Sequence, residues 1–309
     1  MHDLIIVGGG PAGLTAAIYS IRKRLDVLLV SNDLGGKTNY KMVLPWIEEI
    51  HQVIRGVEIV DKFRRELEYL DFAHRLEAVK TIAKQEDFFN VKTVSGAEFT
   101  AKSVILATGS RVRHLDVPGE QKYVGRGLSY SAISYAPLFL GKHTTVIGDG
   151  MLALRAVAEL TQVADTVHLV APTHGALDTH LAKSLTADRM KVVVLEEHKV
   201  KAIDGNNFAE RVILETPAGG EAEIGTDGIF VELGLIPNTD LVKGLADLDE
   251  QDRVIVDNRN FTSCPGLFAA GDVTNAYAEQ VLIAVGEGAK AALSAYEHLS
   301  FREYIKESV

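Results

Sequence analysis

The chain has 309 residues, 47% hydrophobic and 24% charged, enough for one large or two medium domains with sizeable cores. A formal net charge of -10 argues against nucleic acid or an anionic membrane as partner, and no apolar run reaches the roughly 18–20 residues that a bilayer demands. The single cysteine, Cys264, excludes an internal disulfide and a multi-cysteine metal cage; with no basic leader before its apolar start, the chain is expected to be a cytoplasmic α/β protein.

In chain order, Asp3–Val7 predicts a buried strand, Gly8-x-Gly10-x-x-Gly13 a tight turn and Pro11–Ile21 an alanine-rich helix. Asp26–Val30 predicts a second strand after the basic break Arg22-Lys23-Arg24, completing a βαβ unit that opens a doubly wound parallel sheet. Val104–Ala107 reads as another buried strand and ends in Thr108-Gly109. A second βαβ unit follows: strand Thr144–Ile147, turn Gly148-Asp149-Gly150, helix Met151–Leu160 and strand Val167–Val170. Leu267–Ala270, ending in Gly271-Asp272, predicts a further buried strand before a long alanine-rich helix. The fold class is therefore α/β, with two Rossmann-like dinucleotide-binding domains. The first, 1–112 and 242–309, is interrupted by the second, 113–241.

The first turn has the chemistry of a phosphate cradle. Gly8 allows the turn, Gly10 lets backbone approach a pyrophosphate, and Gly13 lets helix and strand meet closely. The acidic residue that usually ends the second strand of an NAD site is missing, because Val30 is followed by Ser31-Asn32. A serine hydrogen-bonds a ribose hydroxyl less strongly than a carboxylate does, which weakens an NAD assignment.

The motif Cys264-Pro265-Gly266-Leu267-Phe268-Ala269-Ala270-Gly271-Asp272 resembles the second FAD fingerprint of flavoprotein disulfide reductases. Together with Gly8–Gly13, Gly35-Gly36, Ala107-Thr108-Gly109, Gly127–Gly141, Gly148–Ala153, Pro237-Asn238 and Gln280, it makes the chain resemble low-molecular-weight thioredoxin reductases over nearly its full length. The resemblance implies FAD as cofactor, an inserted NAD(P)H-type domain and a homodimer. It implies that Asp272 contacts the ribityl–pyrophosphate part of FAD and that the helix from about Glu279 aims its positive end at the flavin. The implied FAD contacts are Gly8, Gly10, Pro11, Ala12, Gly13, Ser31, Gly35, Gly36, Lys37, Thr38, Ala107, Thr108, Gly109, Gly271, Asp272, Gln280 and Val281. Gly148, Gly150, Met151 and Leu152 would meet a second nucleotide.

The chain departs from that family at three places. Where relatives carry Cys-x-x-Cys followed by aspartate, it has Ser131-Ala132-Ile133-Ser134-Tyr135, and a serine hydroxyl supports no disulfide exchange. Where NADPH-dependent relatives grip the 2′-phosphate with His-Arg-Arg, it has Ala171-Pro172-Thr173, offering neither cation nor carboxylate; this leaves NAD(P)H use open. Lys37 replaces a glutamine, as a flavin-tuning cation, a phosphate partner or a solvated side chain. Trp46, Tyr130 and Tyr135 are either flavin neighbours or core residues, and Cys264 reads as a packing residue.

The expected activity is that of an FAD-dependent oxidoreductase working without a redox disulfide. Its electrons would pass between FAD and a small acceptor or an electron-transfer protein: ferredoxin, flavodoxin or a thioredoxin-like partner. Two alternatives stay open: a disulfide oxidoreductase whose cysteines at 131 and 134 were replaced, and a non-enzymatic flavin-binding sensor.

Overall fold

The computed structural model of the chain describes residues 1–47, 56–187 and 191–306, with side chains through Phe301. The first stretch comprises strand β1 (His2–Val7), helix α1 (Pro11–Arg22), β2 (Val27–Ser31), α2 (Val57–Glu68), β3 (His74–Leu76), β4 (Val79–Lys84), β5 (Phe89–Thr93), β6 (Glu98–Leu106) and β7 (Ser110–Val112). Next come α3 (Glu120–Tyr123), β8 (Leu128–Ser129), α4 (Ala132–Tyr135), β9 (His143–Ile147), α5 (Met151–Leu160), β10 (Thr166–Ala171) and α6 (His180–Leu185). Strands β11 (Val192–Glu196), β12 (Lys199–Asp204), β13 (Arg211–Glu215), β14 (Glu221–Gly225), β15 (Gly228–Val231) and β16 (Leu235–Pro237) follow, then β17 (Leu267–Ala269) and the helix α7 (Val281–Lys306).

These elements divide into two compact units, Met1–Asn39 with Arg55–Arg111 and Ile236–Val309, and Tyr40–Ile54 with Val112–Leu235. The sequence pattern predicts crossings at 112 and 242; the units change over after Arg111 and after Leu235, and the stretch from Tyr40 groups with the inserted unit. β7 and β16, which carry the chain through the two crossings, pair as a two-stranded sheet.

The first unit is built on a seven-stranded sheet in the order β3-β2-β1-β6-β5-β4, with β17 also paired to β6. β1 runs parallel to both β2 and β6, matching Leu4 with Val27 and with Ser103. Being covered on both faces, β1 reads as an unbroken apolar run, and Leu4, Ile5 and Ile6 are fully buried. Each such side chain contributes about 1.5–3 kcal/mol of burial free energy. Leu4 and Ile6 share one core with Leu14 of α1 and Ala291 of α7, while Ile5 and Val7 share the other with Phe89, Val104 and Cys264. β4, β5 and β6 are antiparallel, and β5 alternates buried with half-buried residues, as a one-faced strand does.

The second unit repeats the plan with a parallel sheet ordered β11-β10-β9-β15-β8 and a separate antiparallel sheet β12-β13-β14. Its core joins Val146 of β9, Leu154 and Val157 of α5, Phe139 and Phe230. Trp46 belongs to this core: its ring meets Phe139 edge-on at 5.7 Å, and its Nε1–H donates to the Leu138 carbonyl at 2.9 Å.

Both helices that open a βαβ unit start in the same way. α1 follows Gly10 with Pro11 in its first turn, and α5 follows Gly150; neither has a side-chain cap. The first-turn N–H groups of each helix are therefore left without intrahelical partners.

Candidate dinucleotide sites

In the first unit, β1 enters its turn at Gly8, whose φ of +111° is a left-handed conformation that glycine alone adopts without strain. A Cβ on Gly13 would sit 1.8 Å from the Gly8 carbonyl oxygen, so α1 and the turn meet backbone to backbone. Above Gly10 the space is open, with no atom within 4 Å of where a Cβ would stand. Leu14 N–H is bonded to Gly10 O at 2.9 Å, which leaves the N–H groups of Ala12 and Gly13 facing the open end of the helix. This is the arrangement that binds a phosphate anion.

The surrounding loops close on the same turn. Ser31, where the usual acid is missing, accepts at its Oγ from Gly9 N–H at 2.8 Å and so ties β2 to the glycine turn. Gly35 N–H donates to Gly9 O at 2.7 Å, Thr38 Oγ1 donates to Gly35 O at 2.7 Å, and Gly36 lies against Gly10. Thr108 is doubly bonded to Asn238, at 2.8 and 2.9 Å, and Asn238 N–H donates to Gly109 O at 3.0 Å.

Asp272 arrives from the end of β17. Its Oδ2 is 2.6 Å from Lys37 Nζ, which also donates to Ser110 Oγ at 3.0 Å. Of the three roles open to Lys37, simple solvation is thus replaced by a defined ion pair. Gly271 sits against Ala12 and Ala284, and the Gln280 carbonyl accepts from Ala284 N–H at 2.9 Å, so the first turn of α7, starting at Val281, stands beside Gly271. Contacts thus link Gly8–Gly13, Ser31, Gly35–Thr38, Ala107 and Gly271-Asp272 around one open helix end. That end has unclaimed N–H donors and a lysine–carboxylate pair, and it fits a dinucleotide pyrophosphate.

In the second unit Ser131 begins α4, and its Oγ donates to Ser134 Oγ at 2.9 Å. Ala132 N–H donates to Oε1 of Glu232 at 2.7 Å; this buried carboxylate follows β15, and nothing in its local sequence marks it. Tyr135 reaches the Tyr40 carbonyl at 3.3 Å, and burial pushes its phenol above the usual tyrosine range. Tyr130 donates to Glu120 at 2.9 Å, and burial, reinforced by that carboxylate, raises its phenol well above the usual value. Cys264, in the first unit, is 7% exposed in the core, and burial pushes its thiol up.

At the second glycine turn, Gly150 has the same open space as Gly10, and Met151 is exposed at the start of α5. The loop after β10 is not the featureless stretch its own residues suggest. Asp149 of the turn, Asp178 of the loop and Glu196 at the end of β11 all engage it, through Thr173 and His174. Three separate segments supply these carboxylates, so the local run Ala171-Pro172-Thr173 gave no sign of them. Among the described residues, no group of three or more His, Cys, Asp or Glu could hold a metal ion, and no helix is long and apolar enough to cross a membrane.

Two glycine-turn βαβ units, one in each compact unit, define a two-dinucleotide α/β oxidoreductase scaffold. The sequence pattern of the pyridine nucleotide-disulphide oxidoreductase family matches residues 2–288, and the chain belongs to that family. It is of the thioredoxin reductase-like type, whose members bind FAD and use NAD(P)H. The chain is 35% identical to a subunit of alkyl hydroperoxide reductase from Pseudomonas putida and 34% identical to a protein named NADH dehydrogenase from Bacillus subtilis (strain 168). Each match covers 96% of this chain but only 58% of the relative. Its fold superposes on the thioredoxin reductase of Streptococcus pyogenes MGAS5005 with a TM-score of 0.87 at 33% identity, covering 97% of this chain and 98% of that one.

Proposed function

We propose that the chain is an FAD-dependent oxidoreductase that passes electrons between FAD and a small acceptor or an electron-transfer protein without a dithiol relay. The acceptor class is that of ferredoxin, flavodoxin or a thioredoxin-like protein, and a homodimer, the state implied by the family resemblance, is part of the proposal. The observation that carries this reading is the Ser131–Ser134 hydrogen bond at 2.9 Å, where the resemblance expects the redox cysteines. Serine forms no thiolate and no reversible S–S bond. Cys264 is alone in the chain and buried in the other unit, so it supplies neither half of a pair.

Bound FAD would supply two-electron acceptance from a hydride donor. The residues of this chain do the holding. The N–H groups at the start of α1 face the pyrophosphate, and the open space at Gly10 admits it. Asp272, held by Lys37 and next to Gly271, is poised for the ribityl hydroxyls, and the N-terminus of α7 offers partial positive charge to a reduced ring.

Anaerobic reductive titration of the FAD-loaded protein tests the proposal. The chain as it stands should take up about two electrons per FAD, and a Ser131→Cys/Ser134→Cys variant about four. Uptake of a second electron pair by the unaltered chain would overturn the reading.

A further inference from the structure

The loop after β10 is fastened to the second glycine turn rather than standing away from it. Ala176 N–H donates to Asp149 O at 2.7 Å, and Thr173 Oγ1 donates to Asp149 Oδ2 at 2.6 Å. Gly175 has φ +47°, and a Cβ there would lie 2.2 Å from Asp149 O, so the loop backbone presses on the turn. On the outer side, His174 uses both ring nitrogens: Nδ1 meets Glu196, the last residue of β11, and Nε2 lies 2.9 Å from Asp178 Oδ2. Lys183 stands 3.8 Å from Asp178 on its far side.

In a βαβ dinucleotide fold, the end of the second strand faces the adenosine ribose. Here that strand is β10, and the groups gathered at its end are acceptors: the carboxylates of Asp149 and Glu196, each held by a short side-chain donor. A ribose diol brings two O–H donors and suits such acceptors. A 2′-phosphate brings up to about two negative charges and needs a guanidinium or ammonium partner instead. Among the described residues, no arginine takes part in the bonds that build this wall, and the His174 ring is engaged by Glu196 and Asp178.

We infer that Asp149, Thr173, His174 and Glu196 form the specificity wall of the second dinucleotide fold, selecting NADH and turning away NADPH. The inference rests on the proposed function, with the NAD(P)H that the family uses taken as its hydride donor. It goes further in assigning the choice between the two donors to residues from the glycine turn, the loop and β11 acting together.

Equilibrium binding to the holoprotein, measured by titration calorimetry with NADH and with NADPH, tests it without turnover. NADH should bind at least about 30-fold more tightly, from loss of charge-assisted phosphate contacts and repulsion by the carboxylates. Glu196→Lys, and separately Thr173→Arg, should each narrow that ratio by about tenfold through tighter NADPH binding, with circular dichroism confirming the fold. Equal or tighter binding of NADPH by the unaltered protein, or an unchanged ratio in both variants, would overturn the assignment alone. Binding of neither dinucleotide would overturn the assignment together with the donor reading beneath it.

Discussion

Lys37 Nζ stands 2.6 Å from Asp272 Oδ2, so a cation from the loop after β2 neutralises the carboxylate delivered by the last strand of the sheet. The carboxylate is 14% exposed and the lysine 40%, which makes the pair partly screened rather than buried. Lys37→Gln should therefore lower the unfolding free energy by only about 1 kcal/mol in urea titrations. Lys37→Arg should recover most of that stability. Equal stability of all three proteins would show that the ion pair contributes nothing.

Gly10 and Gly13 separate ligand binding from folding. A Cβ at Gly13 collides with the Gly8 carbonyl, whereas one at Gly10 meets no protein atom. Gly13→Ala should destabilise even the FAD-free protein, by about 1–3 kcal/mol. Gly10→Ala should leave FAD-free stability within about 0.5 kcal/mol while weakening FAD retention about tenfold or more, read from flavin absorbance after gel filtration.

Cys264 should behave as a packing residue. Its raised thiol pKa and 7% exposure predict no reaction with a thiol reagent in the native protein and full reaction in denaturant. Fast labelling at neutral pH without unfolding would contradict this.

His174 makes a prediction about pH. Its pKa is raised, first by the hydrogen bond to Glu196 and then by Asp178. A raised folded-state value means the protonated ring steadies the loop fully below about pH 6.5. That contribution fades as pH rises through the higher folded value. The Ala176 amide, bonded to Asp149, should lose hydrogen-exchange protection across that interval, and His174→Asn should remove the pH dependence. Protection that grows with pH in the unaltered chain would reverse the sign and refute the argument.

The parts legible in the sequence were those whose cause is local. The β1 and β9 runs, both glycine turns and the matching limits of α5 follow from short-range patterns of apolar residues and glycines. The strand end at Gly271-Asp272 was legible for the same reason. What stayed hidden depends on partners far along the chain. Lys37 could not be assigned because Asp272 lies 235 residues later, and the pair forms only once β17 has joined β6. Glu232 reaches Ala132 across 100 residues, and the carboxylates of Asp149 and Glu196 reach Thr173 and His174 from the glycine turn and a neighbouring strand. Trp46 joins the inserted unit although it precedes most of the first one in sequence. Each of these is a product of sheet order, which residue spacing does not encode.

The sheet of the first unit takes β17 against β6, and α7 comes close enough to α1 that a Cβ on Gly288 would strike Ala12 O at 2.1 Å. During synthesis, at about 5–20 residues per second, that unit waits for its final strand and helix while the stretch Val112–Leu235 emerges in one piece and can close its own parallel sheet. Translation halted between Pro237 and Leu267 leaves β6 without its last parallel neighbour and α1 without its helical cover, yet spares the inserted unit. The first unit is thereby completed only after the inserted unit has left the ribosome.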